Sequence, residues 1–263
     1  MSAGSRAQVA AAALFQARLS GVALPHFPAP VPTTLAEAYD IQRRLRAALG
    51  GAVLGWKVGR IPPALVDYFG AVRLAGPVLR IDALDGSTPG TASIFGGGAA
   101  AIESEVMLRL NAVPQHIPAT DDEAFAFIDD IRAGFEVASS PARDVHDHAP
   151  CGIIADIGIN NGLLLGPSLG HADFSALMVE TQIDGVTVGT GRAIDVLDGP
   201  WGSFRFLVDL HLRSIIELAA GQWISAGAIT GVHPIALGQT ATARFGDGVQ
   251  IACIAAAEAG FKK

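Results

Sequence analysis

Beyond the glycine pair Gly50-Gly51 the chain is cut into short apolar segments separated by Gly, Pro and Asp. Runs of about four to eight residues are too brief for helices and suit strands. The spacing predicts strands at 53–58, 78–81, 102–110, 131–137, 153–156, 162–165, 177–183, 186–188, 228–230, 240–244 and 249–254. Ile183-Asp184-Gly185-Val186 adds a two-residue hairpin signal. Two helices interrupt the series, one at 121–130 opened by Thr120 with Glu123, the other at 204–220 and stopped by Gly221. Ahead of Gly50 the reading is helical. An alanine-rich helix at 6–19 ends at Gly21, Pro25, Pro28, Pro30 and Pro32 form an extended connector, and Thr34 with Glu37 caps a helix at 35–49. The expected class is α+β: one domain, 1–263, with a helical N-terminal region (1–52) on a predominantly β body (53–263).

Half of the residues are hydrophobic and the mean hydropathy is +0.40. No run approaches the roughly 18 to 20 apolar residues of a membrane helix, so the excess is read as buried subunit interface and a homo-oligomer is expected. Arg6 with the apolar stretch from Val9 to Phe15 imitates a signal peptide, but Gln16 and Arg18 cut it short. The net charge of −7 and the dispersion of the 18 Lys and Arg exclude a nucleic-acid partner. Cys151 and Cys253 have no metal or redox spacing, which fits a reduced, cytoplasmic location.

Acids are scarce, since Asp, Glu, Lys and Arg make up 16% of the chain against about 25% in a typical domain. Two of them nevertheless stand mid-strand, Glu103 and Glu105 in Ile102-Glu103-Ser104-Glu105-Val106, and Glu136 closes Gly134-Phe135-Glu136. Alternation puts 103 and 105 on one face about 7 Å apart. Burying them beside Ile, Val and Met costs desolvation unless a cation compensates. Three oxygen ligands with room for water suit Mg²⁺ or Mn²⁺.

Read together, Gly55-Trp56-Lys57-Val58-Gly59, Glu103-Ser104-Glu105, Phe135-Glu136-Val137, Asn160-Asn161-Gly162-Leu163-Leu164-Leu165-Gly166 and Ala226-Gly227-Ala228-Ile229-Thr230-Gly231 resemble, in order and spacing, the 2-keto-4-pentenoate hydratase and 4-oxalocrotonate decarboxylase family of the fumarylacetoacetate hydrolase superfamily. The resemblance runs from about Tyr39 to Ile254. It implies a mixed β-roll body of that superfamily's C-terminal type, a Mg²⁺ or Mn²⁺ ion on Glu103, Glu105 and Glu136, and oligomers built from dimers. It also implies a substrate among the small 2-oxo or 2-hydroxy-dienoic acids of aromatic-ring degradation. The chain departs from the family after Lys57, where Val58-Gly59-Arg60-Ile61-Pro62-Pro63 replaces the usual continuation and an acidic residue is missing near Ala75.

The first expectation is a metal-dependent hydro-lyase that hydrates a 2-hydroxy-2,4-dienoate to a 4-hydroxy-2-oxo acid. The alternatives are a decarboxylase of the 4-oxalocrotonate type, an acylpyruvate hydrolase, and a non-catalytic partner subunit. Lys57 is the expected acid/base or charge-support residue, with its pKa lowered by burial beside Trp56 and a divalent ion. Arg60 or Arg73 would hold a substrate carboxylate. Ser139 and Ser140 would donate to substrate or cap the turn before Pro141, and Asn160 and Asn161 would supply an active-site amide or a left-handed turn. His146 and His148 form a cluster able to shuttle protons or stay in a hydrated loop, and Gly96-Gly97-Gly98 would serve as a lid hinge or a plain loop.

Overall fold

The structure, a computed structural model, describes residues 3–86, 88–171 and 173–261. It opens with α1 (Ala3–Ser20) and α2 (Leu35–Leu49). The Thr34 hydroxyl accepts from the Glu37 N–H, the Glu37 carboxylate accepts from the Thr33 N–H, and Gly50 closes α2 with φ 73°. Next come β1 (Gly55–Arg60), α3 (Pro63–Phe69), β2 (Arg73–Val78), β3 (Ile81–Ala83), β4 (Gly90–Ile94), β5 (Ala99–Leu110), α4 (Asp121–Phe125) and β6 (Ile128–Ser140). The chain continues through α5 (Cys151–Ala155), β7 (Asn160–Ser168), β8 (Met178–Ile183), β9 (Val186–Arg192) and α6 (Gly199–Leu212). It ends with β10 (Trp223–Ser225), β11 (His233–Pro234), β12 (Thr240–Phe245) and β13 (Val249–Ala257).

Two sheets form the body. The larger runs β2-β1-β10-β5-β6-β7-β3, with β11 also on β5, and the smaller runs β4-β13-β12-β8-β9. This mixed α+β arrangement agrees with the expected class. At the centre of the large sheet lies the long antiparallel pair β5 and β6, in register from Ala99↔Ser140 to Arg109↔Asp130. Ile102, Val106, Leu108, Phe135 and Val137 enter a core shared with Phe204, Leu207 and Val208 of α6 and with Val179, Ala243 and Ile251 of the small sheet. A second core joins Ala10 and Leu14 of α1 and Ile41 and Leu45 of α2 to Ile154 and Ala155 of α5. Among the described residues no helix is long and apolar enough to cross a membrane.

Several elements differ from the sequence reading, each for a physical reason. The apolar run 153–156 is helical, in α5, because a short apolar segment carries no periodicity that separates strand from helix. The helix expected at 121–130 stops at Phe125 because the following residues gain a full ladder against β5. The one expected at 204–220 runs earlier, over Gly199–Leu212, and ends where Ser214 takes φ 56°. No strand forms at 228–230, which follows β5 irregularly as the Ala226 and Ile229 N–H groups donate to Val106 and Ser104. The strand expected at 78–81 is divided between β2 and β3, while α3 and β4 have no counterpart in the reading.

The α1 helix is tied to the sheet by an arginine that is fully buried. Arg18 Nε donates to Asp156 Oδ1 at 2.6 Å, and its Nη groups reach the carbonyls of Asn160 and Ser139 at 3.4 and 3.3 Å. These residues flank the end of β6 and the start of β7, so the N-terminal region braces the strands beside Glu136.

Glycine is required at one point of the central pair. Gly134 stands opposite Glu105, and a Cβ there would come within 2.6 Å of the Met107 side chain and 2.9 Å of the Leu164 carbonyl. Gly134→Ala is expected to destabilise the fold by about 1–3 kcal/mol, the usual cost of overpacking. Denaturant unfolding checks this, and an unchanged midpoint would mean that the strand pair has slack here.

Candidate metal centre

Glu103 and Glu105 leave β5 on one face, and Glu136 of β6 is the register partner of Glu103. One carboxylate oxygen from each lies within 4.8 Å of the other two, and all three side chains are buried. The fold fixes one oxygen on two of these acids. Glu105 Oε2 accepts from the Ser225 hydroxyl of β10 and, at 2.8 Å, from the Gly227 N–H. Gly227 has φ 110°, and a side chain there would meet Val196. Glu136 Oε1 accepts from Asn160 Nδ2 at 3.0 Å. The other oxygens, Glu105 Oε1 and Glu136 Oε2, are buried without a hydrogen-bond donor. Lys57 Nζ lies 3.3 Å from Glu136 Oε2 as an ion pair.

One ammonium faces three carboxylates, and the titration of the group reflects that deficit. Burial, then the Glu136 charge, pushes Glu103 from 4.5 up to about 7 despite Lys57. Glu105 is raised well above its ordinary value by burial, then by Glu136 and Glu103, against the pull of Ser225 and Gly227. The pKa of Lys57 was expected to be lowered beside a divalent ion; with the carboxylates alone around it the shift is upward. Burial is the largest single effect and acts downward, but Glu136, Glu103 and Glu105 together outweigh it and raise the pKa. Hard oxygen donors, orphaned lone pairs and excess negative charge are what a divalent cation neutralises, so these residues fit Mg²⁺ or Mn²⁺.

A cavity of about 430 Å³ opens beside the carboxylates. Lys57, Arg60, Arg73, Glu103 and His146 line it, with apolar walls from Leu74, Ile153, Ile159, Ile229 and Val232. The pKa of His146 is lowered, first by burial and then by the Lys57 charge. Ser140 and Asn161 do not line this cavity. Ser140 Oγ accepts from the Ala142 N–H, the turn-capping role, and Ser139 Oγ donates to Ala99 O. Asn161 Nδ2 donates to Ser93 O and Glu258 Oε2 while its Oδ1 accepts from Arg18. Its neighbour Asn160 is the amide that reaches the carboxylates. His148 lies against the Phe27 ring, away from the cavity lining. The sequence reading gave neither donor to Glu105 a role: Ser225 was not named, and Gly227 appeared only within the Ala226–Gly231 motif, which was the available signal.

No family model matches the chain. A curated relative, the 4-oxalocrotonate decarboxylase of Pseudomonas sp. (strain CF600), is 26% identical over 233 residues, 81% of this chain and 82% of the relative. The solved 4-oxalocrotonate decarboxylase from Pseudomonas putida G7 superposes with TM-score 0.77 in its complex with calcium and acetate, at 24% identity over 95% of this chain and 97% of that one. Its complex with magnesium and adipate gives TM-score 0.76 at 23% identity, with the same coverage. A fumarylpyruvate hydrolase from Pseudomonas aeruginosa, in complex with Mn²⁺ and pyruvate, shares the fold at TM-score 0.56 and 15% identity, over 76% of this chain and 88% of that one. The chain is thus similar over most of its length to 4-oxalocrotonate decarboxylase and shares the fold of these solved structures.

Two outcomes follow from the geometry. Asn160→Ala, which frees Glu136 Oε1, is expected to weaken Mn²⁺ binding about 10–100-fold, as losing the partner of a metal ligand does; calorimetric titration checks this. The second concerns pH. A carboxyl whose pKa is higher folded than unfolded binds more protons when folded, so the contribution of Glu103 is present below 4.5 and lost as pH rises through about 7. Metal-free protein should therefore melt at higher temperature near about pH 5 than about pH 8, while stabilisation by added Mg²⁺ should be larger at the higher pH, where its ligands are deprotonated. Melting curves with and without Mg²⁺ test both signs, and a flat metal-free profile would contradict the crowding of charge described above.

Proposed function

We propose that the protein is a lyase, with Mg²⁺ or Mn²⁺ as cofactor, that removes CO₂ from a 2-oxo-alkenedioic acid of the 4-oxalocrotonate type. The observation that carries this reading is the set of three buried carboxylates, one with an oxygen lacking any donor and one paired with buried Lys57, at one side of a cavity. The similarity along most of the chain to 4-oxalocrotonate decarboxylase supports the choice of acid. A cation held by Glu103, Glu105 and Glu136 would supply Lewis-acid stabilisation of negative charge at the substrate 2-oxygen.

The residues of this chain do the rest. Ser225, Gly227 and Asn160 hold the carboxylates in one arrangement, so none has to reorganise during the reaction. Lys57 Nζ, 3.3 Å from Glu136 Oε2, provides positive charge where the 2-oxo acid head lies and serves as a charge support. Leu74, Ile153, Ile159, Ile229 and Val232 present an apolar wall to the other end of the substrate. There the bond to the terminal carboxylate breaks, CO₂ departs, and its electron pair moves through the alkene towards the 2-oxygen.

The second reading is hydration of a 2-hydroxy-2,4-dienoate, and His146 favours it. A cavity-lining imidazole with a lowered pKa is neutral at physiological pH and suited to activate water, and the same base would serve hydrolysis of an acylpyruvate. The test is a spectrophotometric assay of chelator-treated protein with Mg²⁺ or Mn²⁺ restored, offering 2-oxohex-3-enedioate, 2-hydroxypenta-2,4-dienoate and an acylpyruvate in turn, with product analysis. Metal-dependent CO₂ release from the first is expected, and Lys57→Met should reduce kcat by about 100–1000-fold, the scale of one lost electrostatic donor. Formation of a 4-hydroxy-2-oxo acid from the dienoate, without CO₂ release from the diacid, would replace decarboxylation by hydration. Inertness of the metal-loaded protein towards all three acids would sink both readings and favour a non-catalytic partner.

A further inference from the structure

Two arginines face each other across the end of the hairpin that carries Lys57. Arg60, the last residue of β1, is the register partner of Arg73, the first residue of β2. Like charges directly opposite on neighbouring strands destabilise a sheet unless an anion lies between them. Both line the same cavity as Lys57 and Glu103. Arg73 is 8% exposed, and among the described residues only its Nη2 has a hydrogen-bond partner, Asp198. Its Nε and Nη1 are left as donors at the cavity. Arg60 is exposed and has no ion pair or side-chain hydrogen bond among the described residues.

The acids nearby do not use up this charge. Asp195 also lines the cavity but is held by both Nε and Nη2 of Arg192. Asp198, whose side chain is 65% exposed, sits at the start of α6, with its carboxylate where a Cβ on Gly202 would lie. The positive end of that helix and solvent would still stabilise Asp198 if it let Arg73 go. Two strand residues, Val58 and Gly59, separate Lys57 from Arg60, three steps that span about 10 Å along the backbone, which an extended short-chain diacid bridges. Guanidinium groups hold carboxylates through paired N–H donors, which an ammonium at the same place does not.

We propose that Arg60 and Arg73 form a second-carboxylate subsite, which selects 2-oxo diacids over 2-oxo monoacids, and that an arriving carboxylate displaces Asp198 from Arg73. The inference rests on the reading that the 2-oxo acid head binds at the three carboxylates. It locates the specificity for the far end of the substrate in two residues on the segment where the chain departs from its family.

The experiment is calorimetric binding of 2-oxoadipate and 2-oxohexanoate, which share the 2-oxo acid head and differ in the second carboxylate, to Mg²⁺-loaded protein. The wild type is expected to prefer the diacid. Arg60→Gln and Arg73→Gln are each expected to weaken 2-oxoadipate about tenfold or more, the scale of a charged hydrogen bond, and to leave 2-oxohexanoate unchanged. Arg60 is exposed, so its variant guards against a folding defect at buried Arg73. Asp198→Asn removes the competitor and should tighten 2-oxoadipate alone, a gain that structural damage does not produce. An unchanged ratio of the two affinities in both arginine variants would overturn the subsite, and weaker diacid binding in Asp198→Asn would overturn the displacement. Arginine-dependent selection of the diacid without CO₂ release from 2-oxohex-3-enedioate would leave the subsite standing and remove the decarboxylase reading. Turnover with no arginine dependence would do the reverse.

Discussion

The structure depends on placing three carboxylates and one ammonium inside the middle of a sheet. Glu103, Glu105, Glu136 and Lys57 are all buried, and the acids outnumber the base. Removing charge from water is costly, and repulsion among the acids adds to that cost. The fold answers with fixed donors from three other segments: Ser225 on β10, the Gly227 backbone and Asn160 on β7. The strand order follows from this requirement, since β10 and β6 must both flank β5 and β7 must flank β6 for those donors to arrive. What remains, Glu105 Oε1 with no donor and Glu136 Oε2 with only the Lys57 ammonium beside it, is the part of the arrangement suited to a cation.

The two ends of the chain take part in holding this centre. From α1, Arg18 grips Asp156 and the backbone of Ser139 and Asn160, close to Glu136 and its amide partner. From the C-terminal end of β13, Glu258 accepts from Asn161 and pairs with Arg80. Breaking a buried pair by removing one partner commonly costs about 3–5 kcal/mol. The N-terminal helix is therefore part of the scaffold behind the site rather than an appendage.

On the opposite face of β5, Ser104 is bonded at 2.6 Å to Thr181, which is bonded at 2.7 Å to Thr230, and Thr230 lies 3.1 Å from His233 Nε2. This row of hydroxyls joins the large sheet to the small one and pins the segment that supplies Ile229, Gly231 and Val232 to the cavity. One strand thus carries charged ligands on one face and a neutral polar link between the sheets on the other. Alternation along β5 is what makes both possible.

The sequence by itself determined the strand-rich body, both capped helix starts, and the convergence of Glu103, Glu105 and Glu136, because period-two alternation, capping residues and buried acids are local signals. It also carried the resemblance that agrees with the relatives found. Tertiary structure alone decided which asparagine serves the site: Asn160 and Asn161 are chemically alike, and only the pairing of β6 with β7 directs one to Glu136 and the other to Glu258. It likewise decided that Ser140 caps a turn, that α5 is a helix, and that three carboxylates gather around Lys57 and raise its pKa. The direction of a side chain at a strand end, and the sum of charges around a buried amine, are set by segments far apart in sequence, so no local pattern contains them.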